Sequence, residues 1–112
     1  MTIDDVYKSI ADNIIANVAE GWSKAHITAE RTDDNALSLE GGYDNGEGVF
    51  TPFKFRNFDR RVIADFHQLH KITTEGGSNR WNRARYTLRR DGEFSIDFQW
   101  DQKLADEVEG NL

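Results

Sequence analysis

The chain has 112 residues and no cysteine, which excludes disulfide bonds and metal sites built on thiolates. Its net charge of −6 argues against a general nucleic-acid binder, whose phosphate contacts need surplus Lys and Arg. Hydrophobic residues make up 38% of the chain and aromatic residues 12%, so we expect one folded domain spanning residues 1–112.

An amphipathic helix is predicted at the start of the chain. Thr2 and Asp5 resemble a capping box, in which each side chain accepts a hydrogen bond from the other residue's backbone. Gly21 offers a C-terminal stop. The apolar positions recur at helical spacing: Ile3, Val6, Tyr7, Ile10, Ala11, Ile14, Ile15 and Val18.

Three strands are predicted next. Residues 24–31 and 36–43 alternate between apolar and polar side chains, which is typical of half-buried strands. Residues 33–35, two aspartates and an asparagine, form a turn signal between them, so the two strands should pair as a hairpin. Residues 49–55 form a third strand, and Pro52 makes it an edge or bulged strand, because proline cannot donate to the ladder.

A second amphipathic helix is expected to begin after Asp59, which can cap its first turn. Gly76-Gly77 should end it. A short helix is predicted near the end of the chain, over residues 102–109. The apolar positions of the second helix are Val62, Ile63, Phe66, Leu69 and Ile72.

The segment from Trp81 to Asp101 reads as two alternating strands around Asp91-Gly92. A two-residue loop would set apolar side chains against polar ones. A three-residue loop, Arg90 to Gly92 with a left-handed glycine, keeps the faces separate. The predicted cross-strand pairs are then Leu88–Phe94, Tyr86–Ile96 and Ala84–Phe98 on the apolar face, and Arg89–Glu93 and Arg85–Asp97 on the polar face.

These elements follow the order helix, three strands, helix, two strands, short helix. Strands joined by short turns favour an antiparallel sheet, and amphipathic helices must cover its apolar side. The sequence therefore predicts an α+β fold with an antiparallel sheet of about five strands covered by two helices.

No catalytic or metal-binding constellation stands out, and no cofactor is predicted. His67 and His70 share a flank of the second helix, but no further His or Cys motif would complete a metal shell. His26 and Glu30 lie on one strand face; a hydrolase built on either pair is an alternative that needs a pocket where these groups converge. The glycines between residues 41 and 48 are interpreted as flexible turns rather than as a phosphate-binding loop.

The basic residues from Arg80 to Arg90 surround Trp81. Arginine and aromatic side chains on a sheet can stack on single-stranded bases, so a single-stranded nucleic-acid-binding module is the main alternative. In the predicted register, however, Glu93 and Asp97 face two of these arginines. We favour a self-neutralised sheet face.

Acidic residues are concentrated in two blocks. Residues 32–49 contain five acids and no basic residue, and residues 91–112 contain seven acids and only Lys103. Such blocks can dock a basic protein, because complementary charge speeds association. The candidate partner-binding residues are Asp33, Asp34, Glu40, Asp44 and Glu47, with Asp101, Asp106 and Glu107 as a second group.

Two stretches carry a family resemblance. They are IADNIIANVAEGW followed by AHITAE near the start, and WNRARYTL followed by DGEFSIDFQWD near the end. With these motifs the chain resembles the YezG-like immunity proteins, small bacterial antitoxins of polymorphic or contact-dependent toxin systems. The resemblance implies a stoichiometric inhibitor rather than an enzyme. Its implied partner is the C-terminal domain of a cognate toxin, often a nuclease.

The expected location is the cytoplasm. The N-terminal stretch MTIDDVYKSI is acidic, whereas a secretory signal begins with basic residues. No apolar run approaches the length that crosses a bilayer. We therefore expect no membrane association and no direct contact with nucleic acid, and the sequence does not predict an oligomeric state.

Overall fold

The computed structural model describes residues 2–33, 36–75 and 80–110. These form an α+β fold whose element order confirms the prediction. The elements are α1 (Ile3–Ile15), β1 (Lys24–Asp33), β2 (Ala36–Asp44), β3 (Phe50–Pro52), a 3-10 helix (Phe55–Asn57), α2 (Arg61–Thr74), β4 (Arg83–Arg89), β5 (Phe94–Gln99) and α3 (Gln102–Gly110).

The five described strands form one antiparallel sheet in the order β3-β2-β1-β4-β5. Helices α1 and α2 pack against one face of it. The other face, which we call the open face, carries the alternate side chains of the same strands, and these are exposed or half-buried. The buried core joins Val6, Ile10 and Ile14 of α1, Val62, Phe66 and Leu69 of α2, and Ala25, Ile27, Ala29, Ala84, Tyr86 and Leu88 of the sheet.

The start of α1 confirms the predicted capping box. The Thr2 amide donates to Asp5 Oδ2 at 3.0 Å, and the Asp5 amide donates to Thr2 Oγ1 at 3.2 Å. The predicted stop at Gly21 is wrong, because the helix ends at Ile15. The Asn17 side chain donates to the Asn13 carbonyl at 2.8 Å, a side-chain bond that competes with continuation of the helix.

The start of α2 is tied to α1. Arg60, not the predicted Asp59, is the N-cap, and it makes no side-chain capping bond. Asp59 still contributes at this end, since its Oδ1 accepts from the Arg61 amide at 3.0 Å. Asn13 exchanges two hydrogen bonds with the backbone of Asp59, at 3.0 and 2.9 Å. This buried asparagine fixes the two helices relative to each other.

The predicted stop of α2 at Gly76-Gly77 lies outside the described residues.

The hairpin of β4 and β5 has the predicted register, including all three apolar pairs and the pair Arg85–Asp97. The Arg89 amide donates to the Glu93 carbonyl at 2.8 Å, so these residues also face each other. Gly92 has φ +93°, a left-handed conformation that glycine adopts without steric cost. The three-residue loop is therefore confirmed.

Strand β3 is an edge strand, as Pro52 indicated, but it is shorter than predicted. It covers Phe50–Pro52, and Phe55 begins the 3-10 helix instead. The interpretation of Gly41 and Gly42 as a flexible turn is wrong, because both lie inside β2. A Cβ on Gly42 would lie 2.2 Å from the Thr51 carbonyl oxygen, so the absence of a side chain permits the close approach of β3.

Candidate partner-binding surface

Four rows of side chains cross the open face. They are Asp44–Lys24–Arg89, Gly42–His26–Thr87–Ser95, Glu40–Thr28–Arg85–Asp97 and Ser38–Glu30–Arg83–Gln99. The arginines of β4 lie between the central strand β1 and the edge strand β5, while acids occur on β2 and β5. Arg83 forms ion pairs with Glu30 and Asp101, and the acids of β2 and β5 place negative charge toward the flanks of the face.

Arg83 holds the centre of one end of the open face. Its guanidinium reaches Glu30 Oε1 through Nη2 at 2.9 Å and through Nε at 3.2 Å. Nη2 also lies 2.9 Å from Asp101 Oδ2. The side chains of Arg83, Glu30 and Asp101 are each about one third exposed. Glu30 is thus engaged with an arginine, so it is not poised to act with His26 as an acid–base pair.

His26 lies on the central strand β1, toward the end of the strand opposite to Glu30. Its imidazole stacks on the Phe50 ring at 5.7 Å between centroids and 20° between planes. Burial, and then the nearby Arg85 charge, lowers the pKa of His26, which favours the neutral ring at neutral pH. The stack gives His26 a packing role between β1 and β3.

The histidines of α2 do not form a recognisable metal centre. His70 contacts the Trp81 ring edge-on at 4.8 Å. Within residues 2–33, 36–75 and 80–110, no three His, Cys, Asp or Glu side chains are grouped so that they could hold a metal ion. None of the helices in that part of the chain is both long and apolar enough to span a bilayer.

Trp81 is buried, with only 2% of its surface exposed. Its indole Nε1 donates to Thr73 Oγ1 at 2.7 Å, and its ring stacks on Phe98 at 5.1 Å. The proposal that Trp81 stacks on nucleic-acid bases is therefore wrong, because the ring is already covered. The exposed tryptophan is Trp100, over which Arg80 lies at 4.0 Å from the ring centroid.

Three of the predicted acidic residues lie along β2 and the turn that follows it. Glu40 and Asp44 share the open face of β2, and Glu47 is exposed in the turn. Asn45 builds this turn, since its Oδ1 accepts from the amides of Glu47 and Val49 at 2.9 and 3.2 Å. The turn presents Glu47 at the margin of the sheet beside Asp44.

The second predicted group lies on and before α3. Asp101 has a structural role: its Oδ1 accepts from the Leu104 amide at 3.1 Å, capping α3, and this bond and the Arg83 charge lower its pKa. Asp106 and Glu107 are exposed on the helix, and Asp106 accepts from Gln102 Nε2 at 2.9 Å.

The structure divides the predicted acids differently from the sequence. Asp33 ends β1 beside the start of β4, and therefore lies at the same end of the sheet as Asp101. Its side chain, like the whole of Asp34, lies outside what the structure describes. Asp44 lies at the far end of β2, and a nine-residue strand spans about 27 Å. The first predicted group is thus not one patch.

The sequence prediction missed an apolar stripe on β5. Phe94 is 45% exposed, and Phe98 and Trp100 are each 38% exposed. We expected the helices to bury this side of the hairpin, but they cover β5 only in part. Tyr7 of α1 contacts Tyr86 of β4, and its ring lies 5.0 Å from that of Phe94 between centroids. The signal was the position of β5 after both longer helices, with the nine-residue α3 as the described helix that follows it.

Comparison with known proteins identifies a distant similarity. No family model matches the chain. The chain is 24% identical over 120 residues to a protein named Immunity protein YezG from Bacillus subtilis (strain 168), and the alignment covers 96% of this chain and 80% of that protein. This distant match supports a relationship to an immunity-protein family, and it suggests an immunity role with a toxin protein as partner.

Proposed function

We propose that this protein is a non-catalytic immunity protein that acts in the cytoplasm. It binds the C-terminal domain of a cognate toxin of a polymorphic or contact-dependent system and masks the active or substrate-binding surface of that domain. The observation that carries this proposal is the similarity to an immunity protein along 96% of the chain. A binding role also agrees with the environment of Glu30 and His26, the residues that the sequence suggested as a catalytic pair.

Those residues have structural partners. Glu30 pairs with Arg83 at 2.9 Å, and His26 stacks on Phe50. An acid–base pair would need both groups directed at one substrate position. Because Glu30 and His26 contact other residues of the protein instead, their arrangement supports an inhibitor that acts by binding its target.

A nuclease toxin fits the charge distribution. A nuclease needs cationic side chains to hold the phosphates of its substrate. Glu40, Asp44 and Glu47 would present negative charge to such a surface, since two lie on the open face and one in the adjacent turn. We call these three residues the β2 acidic patch. Complementary charge of this kind raises the association rate and suppresses wrong partners.

The test uses the toxin domain encoded beside this protein's gene. Charge reversal of the β2 acidic patch (E40K/D44K/E47K) should slow association with that domain about tenfold at low salt, and less at high salt because of screening. The matched control, D12K/E20K/E75K, makes the same change in net charge at exposed acids outside the open face. It should associate at a rate closer to that of the wild type.

Two results would count against these ideas. If the unmodified protein forms no complex with the neighbouring toxin domain and does not inhibit it, the immunity proposal fails. If both triple variants slow association equally, net charge rather than the β2 acidic patch is responsible. A complex with a toxin that is not a nuclease would leave immunity standing and remove the choice of toxin class.

A further inference from the structure

The outer edge of β5 is open to another strand. Among the described strands, β5 is the last in the sheet and pairs only with β4. The Arg89 amide donates to the Glu93 carbonyl at 2.8 Å, so residues 93, 95, 97 and 99 direct their backbone groups toward β4. In an antiparallel ladder the intervening residues face the other way. The amides and carbonyls of Phe94, Ile96 and Phe98 therefore point outward.

The side chains of the same residues provide apolar contact area. Phe94 and Phe98 are both exposed on the helix side of β5. Each borders an open cleft. The cleft of about 230 Å³ at Phe94 is lined by Tyr7, Lys8 and Leu88 among others, and the cleft of about 610 Å³ at Phe98 by Ile3, Ile72 and Trp81 among others.

These clefts match the spacing of an added strand. Phe94 and Phe98 are four residues apart, which is about 13 Å along a strand. Side chains at alternate positions of an incoming strand would lie on this side of the sheet, so two of them could enter the two clefts. In strand addition, backbone hydrogen bonds provide affinity and pockets for alternate side chains provide specificity.

Charge on the opposite side of β5 indicates the chemistry of the occupant. Glu93 and Asp97 are exposed and lie on the open face, in the same alternation as Ser95 and Gln99. A second copy paired antiparallel about Ile96 would place the Asp97 carboxylates of the two copies diagonally across the new strand pair, where like charges are unfavourable. A strand with basic residues at these positions would be attracted.

We propose that β5 accepts an extended segment of a partner protein by strand addition, and that this segment alternates apolar and basic residues. Its apolar side chains lie against Phe94 and Phe98, and its basic side chains face Glu93 and Asp97. The inference rests on the proposed function only in taking the toxin domain as the partner that supplies the segment. Exposed edge strands with apolar side chains are also liable to aggregate, which coverage by a partner prevents.

The first experiment is a titration of the protein with a short synthetic peptide in which lysine and valine alternate, with blocked ends. Amide hydrogen exchange, followed by NMR, should slow at Phe94, Ile96 and Phe98 as the peptide binds. The amides of Phe50 and Thr51 on the other edge strand should not change. A matched peptide of glutamate and valine should bind about fivefold more weakly or worse, because each cross-strand charge pair contributes modestly.

A charge swap tests the direction of the effect. The variant E93K/D97K should reverse the preference and bind the glutamate peptide better than the lysine peptide. The control D12K/E20K makes the same change in net charge at two exposed acids outside the open face and should keep the preference for lysine. Thermal unfolding of each variant establishes that it is folded before binding is measured.

Three results would overturn the inference. The first is equal binding of the two peptides, and the second is slowed amide exchange at β3 instead of β5. The third is slow exchange of the three β5 amides in the protein alone together with a dimeric mass, which would assign the edge to a second copy. These results do not depend on the toxin. A protein that fails them and still binds the neighbouring toxin domain would retain the proposed immunity function and lose only this docking mode.

Discussion

Asn82 and Asp101 exchange two hydrogen bonds between side chain and backbone. Asn82 Nδ2 donates to the Asp101 carbonyl at 2.9 Å, and the Asp101 amide donates to Asn82 Oδ1 at 2.8 Å. The Asn82 carbonyl also accepts from the Arg31 amide at 2.8 Å. One buried asparagine thus joins β1, the start of β4 and the entry to α3, where it holds the end of the sheet together.

The first prediction concerns this junction. Asn82→Ala removes both side-chain bonds and leaves two backbone groups without their partners. We expect the free energy of unfolding to fall by about 2–3 kcal/mol, since a net hydrogen bond contributes about 1 kcal/mol and an unpaired buried group adds a penalty. Urea denaturation measures the change. Asn57→Ala, at an exposed asparagine, should leave stability nearly unchanged; an equal loss there would contradict the assignment.

The second prediction separates structure from binding among the acids near α3. Asp101→Ala removes the cap on Leu104 and the ion pair with Arg83, so it should lower the thermal unfolding temperature. Asp101→Asn keeps a capping oxygen and should lie between the wild type and Asp101→Ala. Asp106→Ala, at an exposed helical site, should change stability little. If Asp101→Ala unfolds like the wild type, the capping role is wrong.

The third prediction is a pH dependence at the α1–α2 contact. Asp65 is buried and accepts from Ser9 Oγ at 2.6 Å, and burial raises its pKa despite that bond. Because the pKa of Asp65 is higher in the folded protein than in the unfolded chain, protonated Asp65 favours folding. This contribution to stability is fully present below the unfolded pKa of about 3.9 and is lost as the pH rises through the folded pKa.

Asp65→Asn keeps an acceptor for Ser9 and does not ionise. It should therefore gain stability relative to the wild type as the pH rises from about 4 toward neutrality. Urea denaturation at several pH values measures the difference between the two proteins. Asp12→Asn, at an exposed position of α1, serves as control. A stability difference that is constant with pH would show that Asp65 titrates normally.

The fourth prediction concerns the close approach of β2 and β3. A Cβ at residue 42 would lie 2.6 Å from Phe50 Cζ and 2.2 Å from the Thr51 carbonyl oxygen. Gly42→Ala should therefore displace β3 and separate Phe50 from His26. Faster amide exchange in β3, with β4 and β5 unaffected, is the expected result. Unchanged exchange in β3 would mean that the strand accommodates a methyl group at this site.

The fifth prediction addresses nucleic acid. Trp81 is buried, and the acids on β2 and β5 flank the arginines of β4. A fluorescently labelled single-stranded oligonucleotide should show no change in anisotropy with this protein at low salt, where phosphate contacts are strongest. Salt-sensitive binding that is abolished by Arg85→Ala would restore the nucleic-acid alternative.

Local patterns were sufficient for much of the fold. The capping box at Thr2 and the register set by Gly92 depend on residues a few positions apart, so the chain alone specifies them. The early end of α1 was not predictable from apolar spacing, because Val18 continues the pattern and still packs against the core. Competition from the Asn17 side chain decided that boundary.

The candidate surface was less accessible to sequence reasoning. Clustering along the chain grouped Asp33 with Asp44, although opposite ends of a strand separate them. Asp101 looked like a surface acid, and its structural role depends on Arg83 and on the start of α3. Charge in a sequence records which side chains are available, whereas pairing across strands decides which of them are already engaged.

By itself, the sequence determined the order of the elements, the alternation of the terminal hairpin and the excess of acidic residues, because each follows from neighbouring side chains and from composition. Only the tertiary structure decided that Trp81 is buried while Phe94 and Phe98 of the same hairpin stay exposed. Both outcomes come from the placement of α1 and α2, which cover β4 fully but β5 only in part, where Tyr7 contacts one side of Phe94. Burial depends on how the helices pack on the sheet, and the alternation of side chains along a strand does not reveal which of them the helices will cover.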